Sequence, residues 1–170
     1  MAISRGLLAV ALTLGLLQVA AAADSRSPAE EASDRAAIEA LMWRYVRALD
    51  TLNADAYASA FTADGSFTSG RNSEHGKSDL KKMIDDLKKT RADREAKGEP
   101  ATPAMYHVIF NHTITFTDRD HARYDAYWST MFAGSGQDAA PRVAAVGRSV
   151  DMLVRQNGQW LIQTRDVAPK

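Results

Sequence analysis

The sequence predicts an α+β fold, and two stretches of unlike periodicity predict it. Between Ile38 and Leu87 the apolar residues recur at helical spacing. After the breaker Gly98-Glu99-Pro100-Ala101-Thr102-Pro103 the chain turns to long runs of β-branched and aromatic residues. Helices and strands segregated in this way pack as separate layers of one α+β domain. A chain of 170 residues accommodates one such domain.

The first helix is expected to start at an N-cap Ser33, with Asp34 in its first turn. Ile38, Leu41, Met42, Tyr45 and Leu49 carry it to about Asp50. Asn53 caps a second, short helix with Asp55 near its start, where a carboxylate suits the helix dipole. That helix carries Tyr57 and Phe61 and stops near Asp64-Gly65. Ser66 to Ser69 reads as a short strand and Arg71 to Gly76 as a polar loop. Leu80, Met83, Ile84 and Leu87 form the buried stripe of a third helix, whose exposed end is the charged run Arg91 to Lys97. Four strands follow: Met105 to Thr117, Ala122 to Phe132, Val143 to Arg155 and Gln159 to Val167. Asn157-Gly158 between the last two is a two-residue hairpin signal.

The N-terminus reads as a targeting segment. A short basic start, the apolar run Gly6 to Val19 and the small residues Ala20 to Ala23 have the order of a secretory signal. The run is short for a membrane span of about 20 residues. The expected organisation is a signal peptide over 1–23, a flexible segment over 24–32 and the folded domain over 33–170, in a periplasmic or secreted protein. No membrane contact is expected after cleavage.

Composition removes several function classes. The 21 basic and 21 acidic side chains cancel, so nothing argues for nucleic acid as a partner. The chain has no cysteine, which removes disulfides and thiolate metal sites. His75, His112 and His121 read as loop or edge residues without ligand spacing, so no metal is expected. A glycine-rich phosphate cradle and a Gly-x-Ser-x-Gly elbow are both missing, and no cofactor is expected.

The closing hairpin indicates which faces are covered. A two-residue Asn157-Gly158 turn pairs Val154 with Leu161 and Arg155 with Trp160. Val150, Met152, Val154 and Leu161 then share one face, and Leu153, Trp160 and Ile162 the other. Both faces are apolar, so both are expected to be covered. One lies under the helices; the other is expected to pair with a second copy in a homodimer.

The segment Trp43-Arg44-Tyr45-Val46-Arg47-Ala48-Leu49-Asp50, with Tyr57 and Phe61-Thr62-Ala63-Asp64-Gly65, resembles the opening of SnoaL-like proteins of the nuclear transport factor 2-like superfamily. His107 and Asn111 resemble that family's His-x-x-x-Asn element, and Gly147-Arg148 through Arg165 its closing hairpin. The resemblance implies a cystatin-like cone, in which the three helices pack in the concave face of a strongly curved, mainly antiparallel sheet. It also implies a pocket for a small apolar or aromatic ligand. Relatives of this kind include scytalone dehydratase, bile acid dehydratase and ketosteroid isomerase, so the fold implies a pocket and leaves its chemistry open.

Asp50 is the first candidate for chemistry. A carboxylate at a helix C-terminus opposes the macrodipole, so a residue there for stability alone would more often be Lys, Arg or Gly. Burial beside that dipole is expected to raise its pKa and suit it to proton transfer. The alternative is a turn Asp bonded to the backbone amides of residues 51–53. Tyr45, five residues earlier, lies about 140° away around the helix axis, so the two converge only if the helix loosens. In dehydratase-like relatives the matching Tyr polarises a substrate oxygen; the alternative is a core Tyr. His107 and Asn111 are four apart, and on a regular strand both point to one side. A neutral His107 near Asp50 could shuttle a proton; the alternative is a buried His bonded to backbone.

The resemblance adds Asp125 and Arg165, which complete the constellation of bile acid dehydratase-like members. Asp125 shares a face with His107 only if Asp118-Arg119-Asp120 is a three-residue loop with a bulge; other lengths turn it away. Arg165 is a pocket cation or a salt-bridge partner. Phe61, Asn111 and Tyr127 are the expected substrate contacts. Ser149 stands where many relatives carry Tyr. The leading expectation is a cofactor-free lyase or isomerase in which Asp50 and His107 move a proton beside a carbonyl and Tyr45 stabilises the oxyanion. The competing expectations are a periplasmic binding module without chemistry and an assembly protein.

Overall fold

A computed structural model describes residues 26–134 and 139–170. The expected signal peptide over 1–23 lies outside the described residues. The chain runs α1 (Pro28–Asp50), α2 (Ala54–Ser59), β1 (Phe61–Ser69), β2 (Asn72–His75), α3 (Gly76–Ala96), β3 (Met105–Phe116), β4 (His121–Phe132), β5 (Arg142–Gln156) and β6 (Gln159–Asp166). The strands form one six-stranded sheet in the order β2-β1-β6-β5-β4-β3. All neighbours are antiparallel except β1 and β6. This is the α+β layering expected, with a curved sheet under the helices.

Several boundaries differ from the sequence reading, each for a local reason. The first helix begins at Pro28, not after Ser33, so residues 28–32 are helical and not a flexible lead. Ser27 is the N-cap in a capping box with Glu30, and Pro28 occupies the first turn, where its missing N–H costs nothing. Asp34 is thereby carried into the interior. Its carboxylate accepts from Trp160 Nε1 at 3.0 Å and Arg155 at 2.7 Å, and pairs with Arg26 at 3.0 Å. The second helix ends at Ser59, and Phe61 opens β1 instead of closing that helix. Residues 72–75, expected as a loop, form the short edge strand β2.

The hairpin register is the expected one: Val154 faces Leu161 and Arg155 faces Trp160. Asn157 and Gly158 both take positive φ, 51° and 78°, as a two-residue turn of this kind requires. Inward from the sheet, Leu153, Trp160 and Ile162 join Ile38, Leu41 and Tyr57 in one core. The same face of the sheet carries Tyr124 and Ala126 from β4 and Ser149 and Asp151 from β5, all buried. Arg123, Asp125 and Tyr127 alternate with these and point outward.

One irregularity decides which residues reach the interior. Thr117 pairs with His121 around the three-residue loop 118–120. Thr113 then faces Asp125, but Phe110 faces Tyr127, so β3 holds one extra residue between them. Asn111 takes a φ of 50° at this bulge. Below it the side chains of β3 change face.

Candidate functional site

The end of α1 and the start of β3 meet through a two-point contact. Asp50 Oδ1 accepts a hydrogen bond from the backbone N–H of His107 at 2.9 Å and stands 2.8 Å from His107 Nδ1. A carboxylate that already accepts from the amide accepts from the ring as well, so Nδ1 carries the proton. In the neutral ring the lone pair is then on Nε2. The turn alternative for Asp50 does not apply. The amides of Thr51, Leu52 and Asn53 donate to the helix carbonyls of Arg47, Leu49 and Ala48. Asp50 is mostly buried, and the His107 imidazole remains partly accessible.

His107 borders two spaces. Between α1 and the inner face of the sheet is a cavity of about 200 Å³. Tyr45 and Leu49 line it from α1, Phe67 from β1, His107 and Ile109 from β3, Trp128 from β4 and Arg165 from β6. On the other side of His107, between α1 and edge strand β3, is a more open groove of about 500 Å³, bordered by Asp50, Trp43 and Tyr106. The helix stays regular to Asp50, so Tyr45 and Asp50 do not converge. Tyr45 faces the inner cavity and Asp50 the groove. The imidazole stands between them and connects the two.

The cavity walls are built by local packing. Trp128 lies flat across β5 because residue 147 is glycine: a Cβ there would come within 2.6 Å of the indole. Its Nε1 donates to the carbonyl of Val167 at 3.0 Å, which pins the ring against the strand end. Tyr45 packs on Tyr57 and Phe61, with ring centres 5.2 and 6.0 Å away.

Beneath Tyr45 is a buried ion pair. Arg165 on β6 pairs with Asp151 on β5, and both side chains are almost wholly buried. The guanidinium lies 4.6 Å from the centre of the Tyr45 ring. Burial pushes the Asp151 carboxyl up to about 7, against the opposing pull of Arg165. Burial likewise holds the Tyr57 hydroxyl well above the usual phenol range. Around the pair, Tyr57 Oη, Ser149 Oγ, Asp151 Oδ1 and Arg165 Nε are buried with no partner among the described residues.

The expected site residues therefore separate into two groups. Tyr45, His107 and Arg165 line the inner cavity, and Asp50 supports His107 from behind. Four others do not reach it. Asp125 is on the outer face, bound to Arg123 at 2.6 and 2.8 Å. The three-residue loop would have put it on the His107 side, but the bulge at Asn111 reverses the parity. Asn111 itself is exposed at that bulge and does not share a side with His107. Tyr127 is half exposed on the outer face and stacks on Phe110. Phe61 is fully buried in the core behind Tyr45 and lines neither of the two spaces.

Sequence reasoning missed Asp151, Trp128 and His112. His112 is exposed on the edge strand β3, as read, but after the bulge it also stacks on Tyr124 with centres 5.1 Å apart and borders the groove. The signal for the bulge was present: Asn tolerates positive φ and interrupts the apolar alternation of β3. Asp151 signalled itself as an acid on the inward parity of an apolar strand. Among the described residues no group of three or more His, Asp or Glu could hold a metal ion.

Residues 30–166 match the sequence model of the SnoaL-like domain. No curated protein matches the chain. Solved structures with the same fold include a Mycobacterium tuberculosis protein of unknown function, 23% identical over 85% of this chain and 76% of that one, with a TM-score of 0.66. A nuclear transport factor 2-like protein with a cystatin-like fold from Novosphingobium aromaticivorans is 21% identical over 82% and 84%, with a TM-score of 0.66. A second Novosphingobium aromaticivorans protein, provisionally assigned as a scytalone dehydratase, is 18% identical over 83% and 87%, also at 0.66. At these identities the likeness is one of fold.

Proposed function

The chain belongs to the SnoaL-like domain family, whose fold binds small molecules, and from that premise we propose that it is a cofactor-free lyase or isomerase acting on a small, largely apolar ring compound. The observation that carries the reading is the Asp50–His107 contact at the cavity wall. Asp50 holds the proton on Nδ1, which leaves Nε2 as the base. His107 takes the proton from the carbon beside a carbonyl; as the electron pair returns, either a hydroxyl on the next carbon departs and takes the proton as water, or, in a β,γ-unsaturated ketone, the proton goes to the γ-carbon. The electron pair moves into the carbonyl, and the Tyr45 hydroxyl donates to the developing oxyanion. The cavity of about 200 Å³ lies below the usual range for drug-sized ligands, so one or two rings fit it. Leu49, Phe67, Ile109 and Trp128 supply the apolar walls.

Two further proposals accompany this reading. Export to the periplasm or beyond is supported by the charged, apolar and small-residue order over 1–23. A homodimer through the outer sheet face is supported by the exposed Phe110, Tyr127, Val143 and Val146 there.

The test is hydrogen exchange at the α-carbons of 2-tetralone in D2O, followed by NMR. The protein is expected to accelerate exchange. Asp50→Asn and His107→Ala are expected to abolish the acceleration while the circular dichroism spectrum is unchanged. Acceleration that survives both substitutions overturns the assignment.

A further inference from the structure

The electrostatics beneath the cavity bear on what it selects, and this inference rests on the pocket reading above. Arg165 is the one cation among the residues lining the inner cavity in the described structure. Alone, it would attract a carboxylate. It is not alone: Asp151 is fully buried in direct contact with it. Above about pH 7, where the Asp151 carboxyl is ionised, the two charges cancel where a ligand would meet them. The charged group behind His107 is Asp50, also an acid. An anionic ligand would bring a further negative charge to a region that is already balanced or negative. It would lose its hydration and find no free cation. A neutral oxygen meets no such penalty, and the Tyr45 hydroxyl and His107 ring offer it hydrogen bonds.

We propose that Asp151 is a specificity-determining residue, which neutralises Arg165 so that the cavity accepts neutral, oxygen-bearing one- or two-ring compounds and rejects the matching carboxylates. Asp151 does not touch the ligand. It acts through Arg165, by setting the charge that the ligand meets. Replacing its carboxylate by an amide of the same size leaves the guanidinium uncompensated and turns the preference towards anions.

The experiment is isothermal titration of the folded protein at pH 8 with two probes of one shape, neutral 2-naphthol and anionic 2-naphthoate. The wild-type protein is expected to bind 2-naphthol, with 2-naphthoate weaker by about tenfold or more. Asp151→Asn is expected to narrow or invert that ratio by strengthening 2-naphthoate. Equal or tighter binding of 2-naphthoate by the wild-type protein overturns the proposal and leaves the pocket reading standing. An unchanged ratio in folded Asp151→Asn overturns it too. Binding of neither probe overturns the pocket reading and this inference with it. The wild-type ratio decides the matter by itself where the variant does not fold.

Discussion

Asp50 holds His107 at two points, the backbone amide at 2.9 Å and the ring Nδ1 at 2.8 Å, through a single carboxylate oxygen. The contact fixes both where β3 meets the end of α1 and which ring nitrogen carries the proton. A free imidazole favours no such arrangement. The neutral His107 ring is therefore expected to show its proton on Nδ1 in nitrogen-15 NMR spectra. In Asp50→Ala the proton should move to Nε2 or exchange between the two. A wild-type spectrum with the proton on Nε2 would refute the assignment of the base.

The Arg165–Asp151 pair should be costly to break on one side only. Arg165→Met leaves Asp151 buried without its partner and pushes its carboxyl further up, so a loss of stability is expected, larger at pH 8 than at pH 5. The double variant Arg165→Met/Asp151→Leu removes both charges and should recover most of it. Urea denaturation of the two variants measures the difference. A double variant no more stable than the single one would show that the pair itself stabilises the fold.

Much of this architecture was legible because local signals coincided with tertiary demands. Asn157-Gly158 dictates a two-residue turn, and that turn sets the register of β5 on β6 through Arg155 and Trp160. The stripe Ile38, Leu41, Tyr45 needed only helical spacing. The capping box Ser27-Pro28-Ala29-Glu30 was equally readable, yet the nearer Ser33 competed with it. What went unread was parity across β3. A bulge of one residue at Asn111 decides whether Asp125 faces His107 or the outside, and its one local sign, an Asn that breaks the alternation of β3, does not by itself fix the register. The parallel pairing of β1 with β6 joins segments about a hundred residues apart, beyond the reach of any local pattern. Asp151 needed the three-dimensional partner Arg165 before its burial made sense.

Gly147 is expected to tolerate no side chain. A Cβ would stand 2.6–2.9 Å from three atoms of the Trp128 indole. The ring would have to tilt into the cavity and give up its hydrogen bond to Val167. Gly147→Ala should cost about 1–3 kcal/mol and shift the tryptophan fluorescence. An unchanged melting temperature and spectrum would mean that β5 yields instead of the indole.

The outer sheet face offers a test of association. Phe110 and Tyr127 stack there with ring centres 6.1 Å apart, and Val146 beside them is well exposed. Val146→Glu places a charge in this patch without touching the cavity. Sedimentation at micromolar concentration should show a dimer for the parent chain and a monomer for the variant. A parent chain that is only monomeric would refute the proposed pairing.

Asp151 also predicts a pH dependence whose sign is distinctive. Its carboxyl is raised from 3.8 to about 7, chiefly by burial. The folded state thus holds that proton more tightly than the unfolded state does. The contribution to stability is fully present below about pH 4 and is lost as the pH rises through 7. Asp151→Asn does not titrate and serves as the reference. The melting temperature of the parent chain minus that of Asp151→Asn should fall by several degrees between pH 4 and pH 8. A difference that instead grows with pH would mean that attraction to Arg165 outweighs burial, and that Asp151 is an ordinary acidic carboxylate in the folded protein.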